Sequence, residues 1–504
     1  MRHGVWGAPM NETRRSEPAA ANRLREGALG VGAVTFFVVS AAGPLVAIAG
    51  GYPVGMIFGD GSGMPAALLC CMAILLVFAA GYTAMAQHVV TAGGFYAFAA
   101  RGLGGIAGGA AALIALIAYN TMQVSLYGLF GTAARALLLD YAGIDLPWYA
   151  YALLAVVSVA VLGYRQVDLS AKILGVLVTG EYLAVLILDT AILHRGGAHG
   201  ITIEPFTPTA AVSGSPAIAI LFCFASFMGF EATTIYGEEA RDPERTIPRA
   251  TYLSVLLIGA FYAFSLWSLV VGAGARELVP HLIALSDPTR FLFEMSDRYV
   301  GRWLSAAMSV LFITSVFAGL LAFHNAVARY FFALGREGVL PAGLGRTHPR
   351  HCSPHVGSVV QTTIGGGTVL LFAGMGGDPV LTLFSWLSNL GTLGVIALMA
   401  LCSAAVPVFF ARRPHEPRRL FRTRIAPILA AGVLLAVLLL AIVHFDVLTG
   451  SRGTLCIELP ATIPVAACVG MLRAWRLRRK DPARYKGLGL GMSMGSPQVL
   501  GRST

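Results

Sequence analysis

Ser40-Ala41-Ala42-Gly43-Pro44 stands in the middle of an apolar run near residues 29–51, and Ser226-Phe227-Met228-Gly229-Phe230-Glu231 stands near the middle of another, near 215–237. Proline lacks the N–H that its helical position would donate, and glycine weakens the helix beside it. Each run therefore reads as two half-helices joined by unwound backbone. The two breaks share the pattern S-x-x-G; the alternative is a simple kink in each helix, and the matching break beside an intramembrane carboxylate favours a site. Unwound backbone leaves N–H groups at the start of one half-helix and C=O groups at the end of another. The first attract a carboxylate and the second an ammonium, which together describe an amino acid.

Working outward, the whole chain has the composition that such helices need. Of 504 residues, 56% are hydrophobic and 12% are charged, about half the usual charged share of a soluble protein. A soluble globule could not cover its surface with so few charges, and disordered chains are poor in apolar residues. The apolar stretches run near 20 residues, which favours spanning helices over barrel strands. We read an all-α polytopic membrane protein with twelve spans, near 29–51, 64–87, 104–134, 147–164, 171–193, 215–237, 249–273, 303–333, 356–375, 379–411, 426–445 and 454–472.

Charge tests that layout. With the N-terminus inside, the inner segments hold 29 Lys and Arg, and the outer ones hold seven: Arg135, Arg195, Arg276, Arg290, Arg298, Arg302 and Arg452. This is the bias of the positive-inside rule, and it places both termini in the cytoplasm and the chain in the cell membrane. The net charge of +11 is thereby explained without nucleic acid. Cys70, Cys71, Cys223, Cys402 and Cys468 lie within apolar runs and read as small buried hydrophobes rather than a disulfide framework. Arg14, Arg15, Arg23 and Arg25 precede a first run without a clear cleavage site, so it reads as a retained helix. Thr91 to Arg101 is too polar to span and reads as an inner, membrane-parallel stretch. Glu277 to Tyr299 is long and mildly amphipathic and is expected to cap the outer face, and Arg195 to Gly214 is expected to be irregular.

Spans 1–5 and 6–10 put the two breaks in equivalent places. Five is odd, so the second half starts on the opposite side and the repeat is inverted. Paired breaks of this kind point to a transporter's midplane site. The expected division is a cytoplasmic tail (1–26), a transport core (27–412), two further helices (413–472) and a basic tail (473–504) that lies on anionic lipid.

After the second break the chain runs F-M-G-F-E-A-T-T-I-Y-G-E-E-A-R-D-P-E-R-T-I-P-R-A, Phe227 to Ala250. With G-G-F-Y-A-F-A-A-R-G-L-G (Gly93 to Gly104) and A-R-Y-F-F-A-L-G-R-E-G-V-L-P (Ala328 to Pro341), this resembles the amino acid–polyamine–organocation (APC) permeases. The resemblance covers roughly Gly27 to Arg412. It implies a leucine-transporter-type fold, a 5+5 inverted repeat with broken helices 1 and 6 and two C-terminal helices. Carried over by position, the backbone of Ser40, Ala41, Ala42 and Gly43 takes the substrate carboxylate, and carbonyls around Phe224, Ala225 and Phe227 take the amine. Ala225 stands where arginine-exchanging relatives have tryptophan, which leaves Phe227 and Phe230 as the aromatic wall. Gly229 lies in the break itself, and Gln123 and Phe323 fall where relatives line the pocket.

Two carboxylates lie deep in spans. Glu181, mid-span 5, falls where proton-coupled relatives carry a lysine. It reads either as a proton-loading site or as a neutral Glu bonded to a neighbouring helix. Glu231 reads as holding the exposed groups of the unwound segment. Glu238 and Glu239 with Arg241, Arg245 and Arg249 read as an interfacial ion-pair network latching the inner gate, or as a solvated charged loop. His348-x-x-His351-Cys352-x-x-His355 has the residue types of a zinc site, but its prolines and arginines fit a basic inner loop, so no metal or other cofactor is expected. No H-E-x-x-H, G-x-S-x-G or P-loop is present, so the chain is not read as an enzyme. The expected function is a secondary permease for an amino acid or related amine, coupled to protons, acting as monomer or homodimer. The alternatives are an uncoupled exchanger of the same fold and a non-transporting membrane sensor.

Overall fold

The computed structural model describes residues 29–89, 94–165, 171–231, 233–234, 240–348, 353–413, 419–450 and 453–489. The first apolar run is divided. Helix α1 (Val31–Ala41) stops before Gly43 and Pro44, and a π-helical turn (Val46–Gly51) leads into α2 (Tyr52–Phe58). Gly43 sits at φ +54°, the left-handed region that favours glycine, and Pro44 has no N–H to continue the ladder. Helix α3 (Met64–Ala86) opens with Pro65 in its first turn, where a missing N–H costs nothing.

Helix α4 (Gly94–Leu103) is followed by the long α5 (Gly105–Ala142), then α6 (Trp148–Tyr164) and α7 (Ala171–His194). Helix α4 is buried between α5 and a later helix, with Phe95, Phe98 and Ala99 inside. The segment after α7 carries two short 3₁₀ turns, Glu204–Phe206 and Ala210–Val212. The second divided run begins with α8 (Pro216–Ser226) and loses helical order at Gly229, φ +108°.

The chain continues through α9 (Pro243–Ala273), the short α10 (Leu278–Ala284) and α11 (Phe291–Tyr299), α12 (Arg302–Arg336) and α13 (His355–Gly374). A π turn at Pro379–Phe384 enters α14 (Ser385–Ala411). The appended part holds α15 (Ala426–Val443), α16 (Asp446–Thr449), α17 (Leu455–Lys480) and α18 (Pro482–Lys486).

Among the described residues, nine helices are long and apolar enough to cross a membrane, and the shorter apolar helices are the two halves of the first run, α6 and α8. Among the described residues the regular structure is helical, and one parallel bridge joins Leu29 to Ala240. This is the pattern of a multi-pass membrane protein. Helix α5 forms the central column, packed by α4, α12, α14 and α17, while α1 rests on α9 and α7.

Candidate functional site

Each break is held by a buried carboxylate. Glu181, on α7, is wholly buried. Its Oε2 accepts from the Leu45 N–H and from the Ser315 hydroxyl of α12, both at 3.1 Å. Leu45 is the first residue after Pro44 able to donate, so the carboxylate caps the second half of the divided helix. On its other side the break is fixed through carbonyls. The Tyr262 hydroxyl of α9 donates to Ala42 O at 3.2 Å, and Tyr182 donates to Val39 O at 3.4 Å.

Glu231 plays the corresponding part at the second break. Its Oε2 accepts from the Gly229 N–H at 2.9 Å and its Oε1 from the Tyr119 hydroxyl of α5 at 2.7 Å. Its carbonyl accepts from Tyr82 at 3.0 Å. Upstream, Phe227 and Met228 still donate to Phe224 O and Ala225 O, so the helix tightens before it opens.

The breaks are also tied to each other. Tyr52, on α2, donates to Ser226 Oγ at 2.7 Å, and its ring meets that of Tyr262 edge-on at 5.6 Å. A chain of contacts thus runs from Ala42 through Tyr262 and Tyr52 to Ser226. Around it, Ala42, Gly43, Ala225 and Gly229 are partly exposed, whereas Ser40, Phe224, Phe227 and Phe230 are buried. The small residues of both breaks are therefore the ones a ligand can reach.

The remaining candidates separate. Phe323 is half-buried with its ring 6.3 Å from that of Tyr119, which places it beside the second break. Phe230 turns to α3 and packs edge-on against Phe78 at 6.0 Å. Gln123 faces another way, into a buried polar network with Gln361, Tyr127 and His324. Ala41 closes α1, and Arg241 donates its backbone N–H to Leu29 O at 2.9 Å with its side chain exposed. Glu238 and Glu239, like His351 and Cys352, lie outside the described residues.

Sequence reading missed the five tyrosines, Tyr52, Tyr82, Tyr119, Tyr182 and Tyr262, and Ser315. Their signal was present but faint: each is a hydroxyl within an apolar helix, where a polar group needs a partner.

The second-break stretch and its surroundings are matched by known proteins. The family model described as "Amino acid permease" matches residues 29–461. The low-affinity putrescine importer PlaP of Escherichia coli K12 is 29% identical over 203 residues, 40% of this chain and 41% of that protein. That match spans only about two fifths of the importer. The branched-chain amino acid permease BcaP of Bacillus subtilis is 23% identical over 415 residues, 77% of this chain and 80% of that one. In fold, the chain is similar to a manganese transporter of Eremococcus coleocola, with a TM-score of 0.55 and 11% identity over 90% of this chain and 98% of that one. With the family match running through most of its length, the chain belongs to the amino acid permease family of the APC superfamily, a group of membrane transporters and not of enzymes.

Proposed function

We propose that this protein is a secondary permease for a small apolar α-amino acid, driven by protons and working by alternating access. In this reading the chain crosses the cell membrane twelve times with both ends in the cytoplasm. Spans 1–5 and 6–10 form an inverted repeat that rocks around the two breaks. The backbone of Ser40 to Gly43 receives the substrate carboxylate, and carbonyls near Phe224, Ala225 and Phe227 receive its ammonium.

One observation carries the coupling: the Glu181 carboxylate already holds the Leu45 N–H at the end where the substrate carboxylate would bind. Two anions at one helix N-terminus repel each other, and more strongly in a dry interior. A proton on Glu181 removes that repulsion and admits the substrate. Departure of the proton to the other side favours release.

The site also ranks substrates. The curated relatives named for putrescine and for branched-chain amino acids handle different head groups. A diamine needs a second anionic partner, but both buried carboxylates near the breaks are engaged with backbone N–H groups. The accessible surface is Ala42, Gly43, Ala225 and Gly229, which suits a short apolar side chain.

The test is a thermal-unfolding panel of leucine, isoleucine, valine, putrescine and agmatine on the purified protein. A ligand at about a hundred times its Kd stabilises the fold by roughly 2.7 kcal/mol. Stabilisation by the branched-chain amino acids supports the reading. Stabilisation by the amines alone overturns the substrate class.

A further inference from the structure

Away from both breaks, a cleft of about 560 Å3 opens where the end of α3, the start of α9, the end of α14 and the segment entering α15 meet. Four guanidiniums line it: Arg245 and Arg249 from the first turns of α9, and Arg419 and Arg422 from the segment before α15. His88 adds an imidazole, and Glu244 is the one carboxylate among the residues lining it. Asp242, just outside, comes within 3.7 Å of Arg245 Nε. Among the described residues, Arg249 and Arg419 have no carboxylate partner. The cleft therefore holds an excess of positive charge.

Arg422 gives a second, independent sign. Its Nη2 donates to Thr83 Oγ1 at 3.0 Å, while its Nε is buried with no acceptor among the described residues. A buried donor left unpaired carries a desolvation penalty that an incoming oxygen removes. The planar guanidinium fork matches the paired oxygens of a phosphate better than a single charge would. Leu420 and Phe421, between the two arginines of that segment, are each 56% exposed. They form an apolar lip beside the charged cleft. Basic pockets between the ends of membrane helices are where anionic head groups settle.

We propose that this cleft is a phosphate-binding site, taking the phosphodiester of an anionic lipid or a soluble phosphate anion. Occupancy clamps the start of α9, which follows the second break, to the segment that leads into the appended helices. Gln87 already fixes one wall, donating from Nε2 to Glu244 O at 2.7 Å. The bound anion bridges the other.

The detergent-purified full chain is titrated with short-chain phosphatidylglycerol, the matching phosphatidylcholine and sodium phosphate. Melting temperature and native mass spectrometry are the readouts. The expected result is retention and stabilisation by phosphatidylglycerol over phosphatidylcholine. The double variant Arg249→Gln with Arg419→Gln should weaken that binding roughly thirtyfold, each basic group near an anionic surface being worth about fivefold. Both residues are exposed, so folding is not at stake. Arg476→Gln, which removes an exposed charge from α17, should leave binding unchanged. Stabilisation of the wild type by sodium phosphate, lost in the double variant, keeps the site and identifies a soluble anion as its ligand. Equal responses to both lipids with none to phosphate, or an unchanged response in the double variant, overturn the proposal.

Discussion

At the residue scale, the two buried carboxylates differ in what a proton would change. Glu231 is satisfied on both oxygens, by Gly229 N–H and by the Tyr119 hydroxyl. Glu181 has two donors on Oε2, while Oε1 is buried with none among the described residues. The free oxygen of Glu181 is where a proton can be added without breaking an existing bond. Glu181→Gln keeps an oxygen to accept from Leu45 and so separates charge from shape. Gradient-driven uptake into proteoliposomes should fall to the level of facilitated exchange, while counterflow persists. A one-unit pH gradient supports about tenfold accumulation per coupled proton, so retention of that tenfold in the variant would remove Glu181 from the coupling. A second carboxylate sets a pH dependence of stability. Asp60, in the turn between α2 and α3, is 1% exposed and accepts from the Gly214 N–H at 3.1 Å. Burial pushes its carboxyl up to about 6, and the Gly214 bond only partly opposes that. The fold therefore holds a proton that the unfolded chain releases above about pH 4, and stability falls as pH rises from there through about 6. Asp60→Asn should flatten the melting temperature across this window; an unchanged slope would exclude Asp60 as its source. Glu181 was visible in the sequence because a carboxylate in an apolar run is conspicuous. Its partners were not, because a backbone N–H has no sequence identity and Ser315 lies 134 positions away.

At the element scale, the breaks depend on two left-handed glycines rather than on proline alone. At Gly43, φ +54°, an added Cβ would come 3.3 Å from Val46 Cγ2 and 3.5 Å from Ser315 Oγ. At Gly229, φ +108°, a side chain is strained whatever space it meets. Gly43→Val and Gly229→Ala should each cost about 1–3 kcal/mol of stability. In the proposed reading both should also weaken substrate binding, because the added carbon would stand on the backbone assigned to the substrate. Gly432→Ala is the matched control. Gly432 lies within α15 with nothing within 4 Å of the added Cβ, and relief of helix entropy should leave stability equal or raised by up to about 1 kcal/mol. Wild-type substrate affinity in Gly43→Val would show that the first break is not the site. The positions of the breaks were legible because glycine and proline act locally. The π-helical turn that follows was not: it lies against α8, α11 and α12, all from later in the chain, and no residue within it marks the change. Helix α4 shows the same limit. Its sequence showed that it is too polar and glycine-broken to span, but not the burial of Phe95 and Phe98, which depends on α5 and on α14 from much later in the chain.

At the scale of the whole molecule, charge gives the expected topology, and packing decides how close the helices come. The appended α17 lies along α5 with glycines facing each other: a Cβ on Gly109 would fall 2.6 Å from Gly470 O. In lipid, where apolar burial gives no preference for helix over solvent, such close backbone approach is what holds helices together. Helix α17 is thus seated on the central column of the core, while α15 packs on α14 and α3. If the arginine-rich segments all face one side, Arg245, Arg419 and Arg478 share a compartment, while Arg135, Arg195 and Arg298 share the other. The described geometry is compatible with that division within each set: Arg195 donates to Arg298 O at 3.2 Å, and Arg245 and Arg419 line one cleft. This makes a sharp prediction for a cysteine-free background carrying single cysteines. A membrane-impermeant maleimide applied to intact cells should label Ser213→Cys and Thr207→Cys, and should reach Arg245→Cys and Ala483→Cys only after permeabilisation. Labelling of all four in intact cells, or the reverse pattern, would refute the orientation. Labelling of Ala483→Cys together with the Ser213 and Thr207 sites would change the parity of the crossings. That outcome would remove the twelve-span count, and with it the inverted relation between the two breaks on which alternating access depends.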